Sequence, residues 1–276
     1  MAGGAHGKVS RAVITLLGAL AIAYVAIAAV LYFSQRSFIY PAPTGPGAEP
    51  AGFETVQYTT ADGLDLRAGH RPAADGRPTI LYFHGNAADW QSSAVATDRL
   101  TPSGYGVLAA EYRGYRGNPG KPSEAGLYAD GRAAIAWLAG QGVPPSELII
   151  IGNSIGSGVA SQMAAEVTPR ALVLISPFAS LSQLVHEKLR FLPTSVLLKD
   201  HFRNDDKLAQ IDAPIVILHG TADTLIPIHH ARQLAAQTDR AKLIEFENIG
   251  HDLAWYDPAE MALLRFLEDL PPQENR

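Results

Sequence analysis

The 276-residue chain has no cysteine. That absence removes disulfides, a thiolate nucleophile and every Cys-ligated zinc or iron–sulfur site. It leaves the compartment open, because a domain of this size folds without covalent staples. Charge is also scarce: Asp, Glu, Lys and Arg make up 18%, the formal net charge is −5, and no Lys/Arg-rich run occurs. Nucleic acid is therefore not an expected partner. The glycines at 152, 156 and 158 lack the lysine of a phosphate-binding loop. His229 and His230 are adjacent, so on a helix their side chains point about 100° apart, a poor arrangement for a metal. No metal or organic cofactor is expected, and no internal repeat is visible.

What the chain does have is apolar residues, 47% of the total. Residues 12–33 carry no charge at all. Twenty-two residues at 1.5 Å rise span roughly 33 Å, enough to cross the hydrocarbon core of a bilayer. Lys8 and Arg11 precede the run and Arg36 follows it, with Tyr24, Tyr32, Phe33, Phe38 and Tyr40 toward its far end. The charge bias puts the N-terminus in the cytoplasm and the rest of the chain on the non-cytoplasmic side, with Arg36 opposing. Ala26-Ile27-Ala28 offers a small-x-small site for a signal peptidase, but the run is longer than the apolar region of most signal peptides. The expected organisation is a tail and single-pass membrane anchor over 1–34, a Pro/Gly-rich linker over 35–52 that separates anchor from domain, and one large folded domain over 53–276.

Within the domain, eight strand-like segments alternate with helical ones, which means a mostly parallel sheet with helices on both faces. Two strands open the domain as an antiparallel pair around the Asp62-Gly63 turn signal. Residues 181–208 read as a short insertion, an amphipathic helical stretch broken by Pro193. Its leucines and valines either pack on the sheet or form a cap over a site.

The chemistry centres on residues 147–158. Leu148 to Ile151 form an apolar run suited to a strand buried on both faces, and a helical pattern starts within a few residues. Gly152-Asn-Ser154-Ile-Gly156 lies between them. A serine on so sharp a turn takes strained backbone angles and lifts its hydroxyl clear of the sheet, while a side chain at either flanking glycine would collide with backbone. The pentapeptide by itself is weak evidence, since a Gly/Ser turn after a strand is common. A serine hydroxyl also needs a base and a group to orient that base. Asp223 follows the strand around 214–218, and His251 follows the strand around 242–246. The order Ser, Asp, His, each at a strand's C-terminal end, is the one α/β-hydrolase sheets use. Asp252 is too close in sequence to reach the His251 ring, and Asp205 and Asp206 are weaker alternates. The Ile155 N–H at the helix start and an N–H of the loop 84–88, Asn86 before Ala87, are the candidate oxyanion donors. His84 is expected to pack and brace that loop.

With these residues placed, the chain resembles the membrane-anchored serine α/β-hydrolases whose eukaryotic relatives include protein depalmitoylases. The resemblance rests on Q-R-S-F-I-Y-P after the anchor, H-G-N-A, E-Y-R-G-Y, P-S-E-A-G-L-Y-A-D, G-N-S-I-G-S-G-V-A, L-L-K-D-H-F, H-G-T-A-D-T-L-I-P and G-H. The family often has glycine where Arg116 stands, and a small polar residue where Asp252 stands. The resemblance implies hydrolysis of an ester, thioester or amide through an acyl-enzyme, on a small-molecule or lipid-like acyl substrate. Two readings compete with an acyl-ester hydrolase: a serine peptidase for short peptides, and a non-catalytic binding module on the same fold. The first would favour aminoacyl amides over acyl esters; the second would carry a damaged triad.

Overall fold

The computed structural model describes residues 3–45 and 47–271; the side chains of residues 1–11, Lys8 and Arg11 among them, lie outside that description. A long helix α1 (Gly3–Ile39) comes first. Strands β1 (Glu54–Thr59), β2 (Asp65–Arg71), β3 (Thr79–Phe83) and β4 (Gly106–Ala110) follow, with helix α2 (Trp90–Ala96) between the last two. Then come α3 (Glu124–Gly140), β5 (Leu148–Asn153), α4 (Gly156–Glu166) and β6 (Ala171–Ile175). The insertion contributes α5 (Leu181–Lys188) and α6 (Thr194–Leu197), and β7 (Ile215–Gly220), α7 (His229–Ala235), β8 (Ala241–Phe246) and α8 (Asp257–Glu268) complete the chain.

The eight strands form one sheet in the order β1-β2-β4-β3-β5-β6-β7-β8. β2 runs antiparallel to both its neighbours; every other pairing is parallel. Strand residues alternate between two cores. Leu81, Phe83, Ile150 and Leu174 join the cluster on one face, and Ile80, Tyr82, Ile151 and Val173 the cluster on the other. Both faces are covered, so the central strands are apolar throughout, which is why they read as uninterrupted runs. The parallel strands β5, β7 and β8 bring their C-terminal ends to one edge, and residues 154, 223 and 251 lie just past those ends.

The N-terminal region departs from the expected organisation. The helix does not stop at 34 but continues to Ile39, because its last turns dock on the insertion. Gln35 Nε2 donates to the Leu197 carbonyl at 3.1 Å and its Oε1 accepts from Lys199 N–H at 2.7 Å. The Arg36 guanidinium makes two bonds to the Asp200 carboxylate, at 2.9 and 3.0 Å. Tyr40, expected at a membrane interface, is buried in the domain core. The following Pro/Gly segment is not a free spacer either: Arg116 N–H donates to the Pro43 carbonyl at 3.1 Å, and its guanidinium reaches the Thr44 carbonyl and Asp89. Arg116 sits at φ 46°, a left-handed angle that explains why glycine would suit the position. Over residues 12–39 the helix is long and apolar enough to cross a membrane, and its apolar window is not buried inside the protein. A core helix would be covered.

Candidate active site

Ser154 stands between β5 and α4 at φ 52°, one of six non-glycine residues with positive φ among the described residues. The turn is held by Ser154 N–H donating to the Ile175 carbonyl of β6 at 2.9 Å, and by Ser157 Oγ donating to the Ser154 carbonyl at 2.6 Å. A Cβ at Gly156 would lie 2.2 Å from the Phe83 carbonyl oxygen, and one at Gly152 would lie 2.5 Å from the Gly156 oxygen. Helix α4 thus passes against the end of β3 with no space for a side chain, as the sequence suggested for both glycines.

His251 Nε2 lies 3.0 Å from Ser154 Oγ, and His251 Nδ1 lies 2.7 Å from Asp223 Oδ2. The second oxygen, Asp223 Oδ1, accepts the N–H groups of Leu225 and Ile226 at 2.9 and 2.8 Å. Burial would raise the Asp223 carboxyl, but the His251 hydrogen bond, the Ile226 N–H and the neighbouring imidazoles outweigh it and hold it below the ordinary carboxylate range. An ionised Asp223 can only accept, so it fixes the proton on His251 Nδ1 and leaves Nε2 free to accept from the serine. The three residues singled out in the sequence therefore meet, whereas Asp205 and Asp206 pair with Arg203 at the surface.

His219 is buried beneath this group. Its Nε2 lies 2.8 Å from the Ile226 carbonyl, which can only accept, so Nε2 carries the ring proton. Burial depresses its pKa and keeps the ring neutral.

Asn86 and Ile155 both line the cavity above Ser154. Among the described residues, neither backbone N–H is engaged by a protein acceptor. Two free donors next to a serine hydroxyl suit an oxyanion. The loop carrying Asn86 is braced from below by a pair that sequence reasoning only half saw. His84 is buried, with Nδ1 at 2.8 Å from the Gly85 carbonyl and Nε2 at 2.7 Å from Glu111 Oε1. The carbonyl only accepts, so Nδ1 is a donor, and Nε2 pairs with the carboxylate. Glu111 also accepts from Trp90 N–H at 3.1 Å and Tyr112 N–H at 3.0 Å. A lone acid closing the apolar run of β4 was the available signal.

The cavity measures about 380 Å³. Leu181, Leu184, Val185, Leu189, Leu197 and Leu198 of the insertion line it, so the insertion caps the cavity; Phe191 and Val196 of the same insertion are exposed instead. Among the described residues, no charged side chain is in the lining.

His229 and His230 do not diverge as expected. Their rings stack at 4.4 Å, and both Nε2 atoms face Glu187, at 3.0 and 3.3 Å. The three residues have metal-ligand spacing. However, Ala179 N–H donates to His230 Nδ1 at 3.2 Å, so the ring proton sits on Nε2, the atom a metal would need. The cluster fits a polar joint between α5 and α7 rather than a metal centre.

The sequence profile of the alpha/beta hydrolase fold family matches residues 78–207. An uncharacterized protein of Mycobacterium tuberculosis is 36% identical over 242 residues, covering 84% of this chain and 86% of that protein. Alpha/beta hydrolase domain-containing protein 17B of Homo sapiens is 32% identical over 187 residues, 66% of this chain and 63% of that protein. Among solved structures, the Pyrococcus furiosus esterase Pf2001 superposes with a TM-score of 0.67 over 83% of this chain and 97% of its own, at 19% identity, a likeness of fold. With an eight-stranded, mostly parallel sheet and these matches, the chain has the alpha/beta hydrolase fold and is similar to the alpha/beta hydrolase domain-containing proteins.

Proposed function

We propose that the protein is a single-pass, membrane-anchored serine hydrolase that cleaves carboxylic esters or thioesters of acyl substrates, with its catalytic domain (53–276) on the non-cytoplasmic side. The observation that carries this reading is the unbroken relay from Asp223 Oδ2 through His251 to Ser154 Oγ, at 2.7 and 3.0 Å, beneath an apolar cavity. In the reaction, Ser154 Oγ attacks the acyl carbonyl carbon while His251 Nε2 takes the hydroxyl proton. The developing oxyanion is held by the Asn86 and Ile155 N–H groups. The C–O or C–S bond then breaks, and His251 returns the proton to the departing alkoxide or thiolate. Water attacks the acyl-enzyme along the same path, its proton passing through His251 to Ser154 as the carboxylic acid leaves. Asp223 orients the ring and stabilises the transient imidazolium.

The lining favours acyl chains over peptides, since it carries no charged side chain to hold a peptide terminus. The hydrogen-bond chain from Asp223 through His251 to Ser154 favours catalysis over a binding module, which has no use for an oriented base.

The direct test is labelling of the full chain in detergent with a fluorophosphonate probe, beside hydrolysis of p-nitrophenyl esters. Ser154→Ala is expected to abolish labelling and to lower kcat by roughly a thousandfold or more. Equal labelling of the variant would remove Ser154 as the nucleophile.

A further inference from the structure

The cavity over Ser154 is closed on one side by the cap and on the other by the N-terminal helix. Ala28, Leu31, Tyr32, Gln35, Phe38 and Ile39 of α1 all line it. Their spacing of three and four residues puts them on one helix face, a stripe about 120° wide at 100° per residue. The opposite face carries Val30 and Phe33, 65% and 80% exposed.

The contact is fixed at several points along the helix. Tyr24 Oη donates to the Phe191 carbonyl at 3.0 Å, in the loop between α5 and α6. Lys199 Nζ lies 4.1 Å from the centre of the Tyr32 ring, and the Gln35 and Arg36 bonds follow. From Tyr24 to Arg36 is roughly 18 Å of helix at 1.5 Å per residue, so this is an extended seam.

The same helix is apolar enough to cross a bilayer. Where α1 spans a bilayer, Tyr24 falls well within the uncharged run, and the Phe191 carbonyl bonded to it is carried to membrane depth. A backbone carbonyl there needs a partner in the protein, and the Tyr24 hydroxyl supplies one. The cap tip therefore dips into the lipid beside its own anchor. The exposed Phe191 and Val196 are suited to that place, and the exposed Phe38 and Leu225 mark the open rim of the cavity.

We propose that the membrane anchor is itself a wall of the acyl-binding pocket, and that this pocket opens sideways into the bilayer. The substrates are then esters or thioesters whose long acyl chain is already dissolved in the membrane. The proposal rests on the hydrolase reading for its chemistry, but the wall itself can be tested without turnover. Leu31 is the specificity-determining position in the middle of the stripe.

The experiment uses the full chain in lipid nanodiscs. Leu31→Trp fills the wall, Leu31→Ala opens it, and Val30→Trp places the same bulk on the lipid-facing side. The first readout is the ratio of kcat/KM for p-nitrophenyl dodecanoate to that for p-nitrophenyl acetate. Leu31→Trp is expected to lower the ratio roughly tenfold or more, Leu31→Ala to shift the preference toward longer chains, and Val30→Trp to leave it at the wild-type value. The second readout is binding of a dansyl-labelled undecanoic acid in a Ser154→Ala background, which Leu31→Trp should weaken by a similar factor. If neither ester is turned over, the hydrolase reading fails, and the binding arm still decides whether α1 is a wall. Chain-length ratio and probe affinity that match between Leu31→Trp and Val30→Trp would overturn the proposal, as would an unchanged profile in a well-folded Leu31→Ala.

Discussion

At the scale of single residues, the most informative side chains are those that hold others in place. Ser154, Asp223 and His251 were legible because each follows an apolar run and because their order along the chain is meaningful. Glu111 was not, since its partner His84 lies 27 residues away and only the pairing of β3 with β4 brings them together. Glu111 satisfies two backbone N–H groups and one imidazole in a dry interior. Truncating it orphans all three, and buried donors without acceptors are expensive. Glu111→Ala is expected to cost about 3 kcal/mol of folding stability, read from urea unfolding. Because the His84 loop carries Asn86, kcat should fall with little change in KM. A fall in KM-controlled binding alone would mean that the pair does not position the oxyanion donor.

At the scale of elements, the central strands β3, β5, β6 and β7 declare themselves as continuous apolar runs, because helices cover both faces. What local pattern could not reveal was order and docking. The placement of β4 between β2 and β3 depends on a crossover, and the extension of α1 to Ile39 depends on residues some 160 positions away. The joint between α5 and α7 was missed for the same reason: His229 and His230 acquire meaning only once Glu187 of the cap lies opposite. His230 is buried, and burial pushes its pKa below the ordinary value near 6.5; Glu187 opposes the shift and the neighbouring His229 ring adds to it. Below pH 6.5 the unfolded chain takes up a proton that the folded chain refuses. Stability is thus fully present above that pH and is lost as the pH falls beneath it. Buried His219 acts in the same direction. The urea midpoint is expected to drop between pH 7 and pH 5, and the drop should be smaller in His230→Gln. An identical drop in the variant would show that His230 is not among the groups responsible.

At the scale of the whole molecule, length and composition announced one α/β domain behind one apolar span, and the pattern of apolar runs announced the sheet. The expectation that a linker would separate the two was undone by particular contacts, those of Gln35, Arg36 and Arg116, none of which has a local signature. The proposed orientation across the membrane rests on Lys8 and Arg11 outweighing Arg36. A C-terminal fusion to alkaline phosphatase, active only outside the cytoplasm, is expected to be active; an inactive phosphatase with a fluorescent cytoplasmic reporter in its place would reverse the orientation. The clamp between α1 and the cap also carries a kinetic consequence. A domain swinging on a loose tether samples a hemisphere of solution and meets dissolved molecules as readily as embedded ones. A domain locked to its own span searches only in two dimensions. On the proposed function, its turnover is expected to follow the surface mole fraction of ester, so that diluting the bilayer with inert lipid should slow it even while the bulk concentration is unchanged.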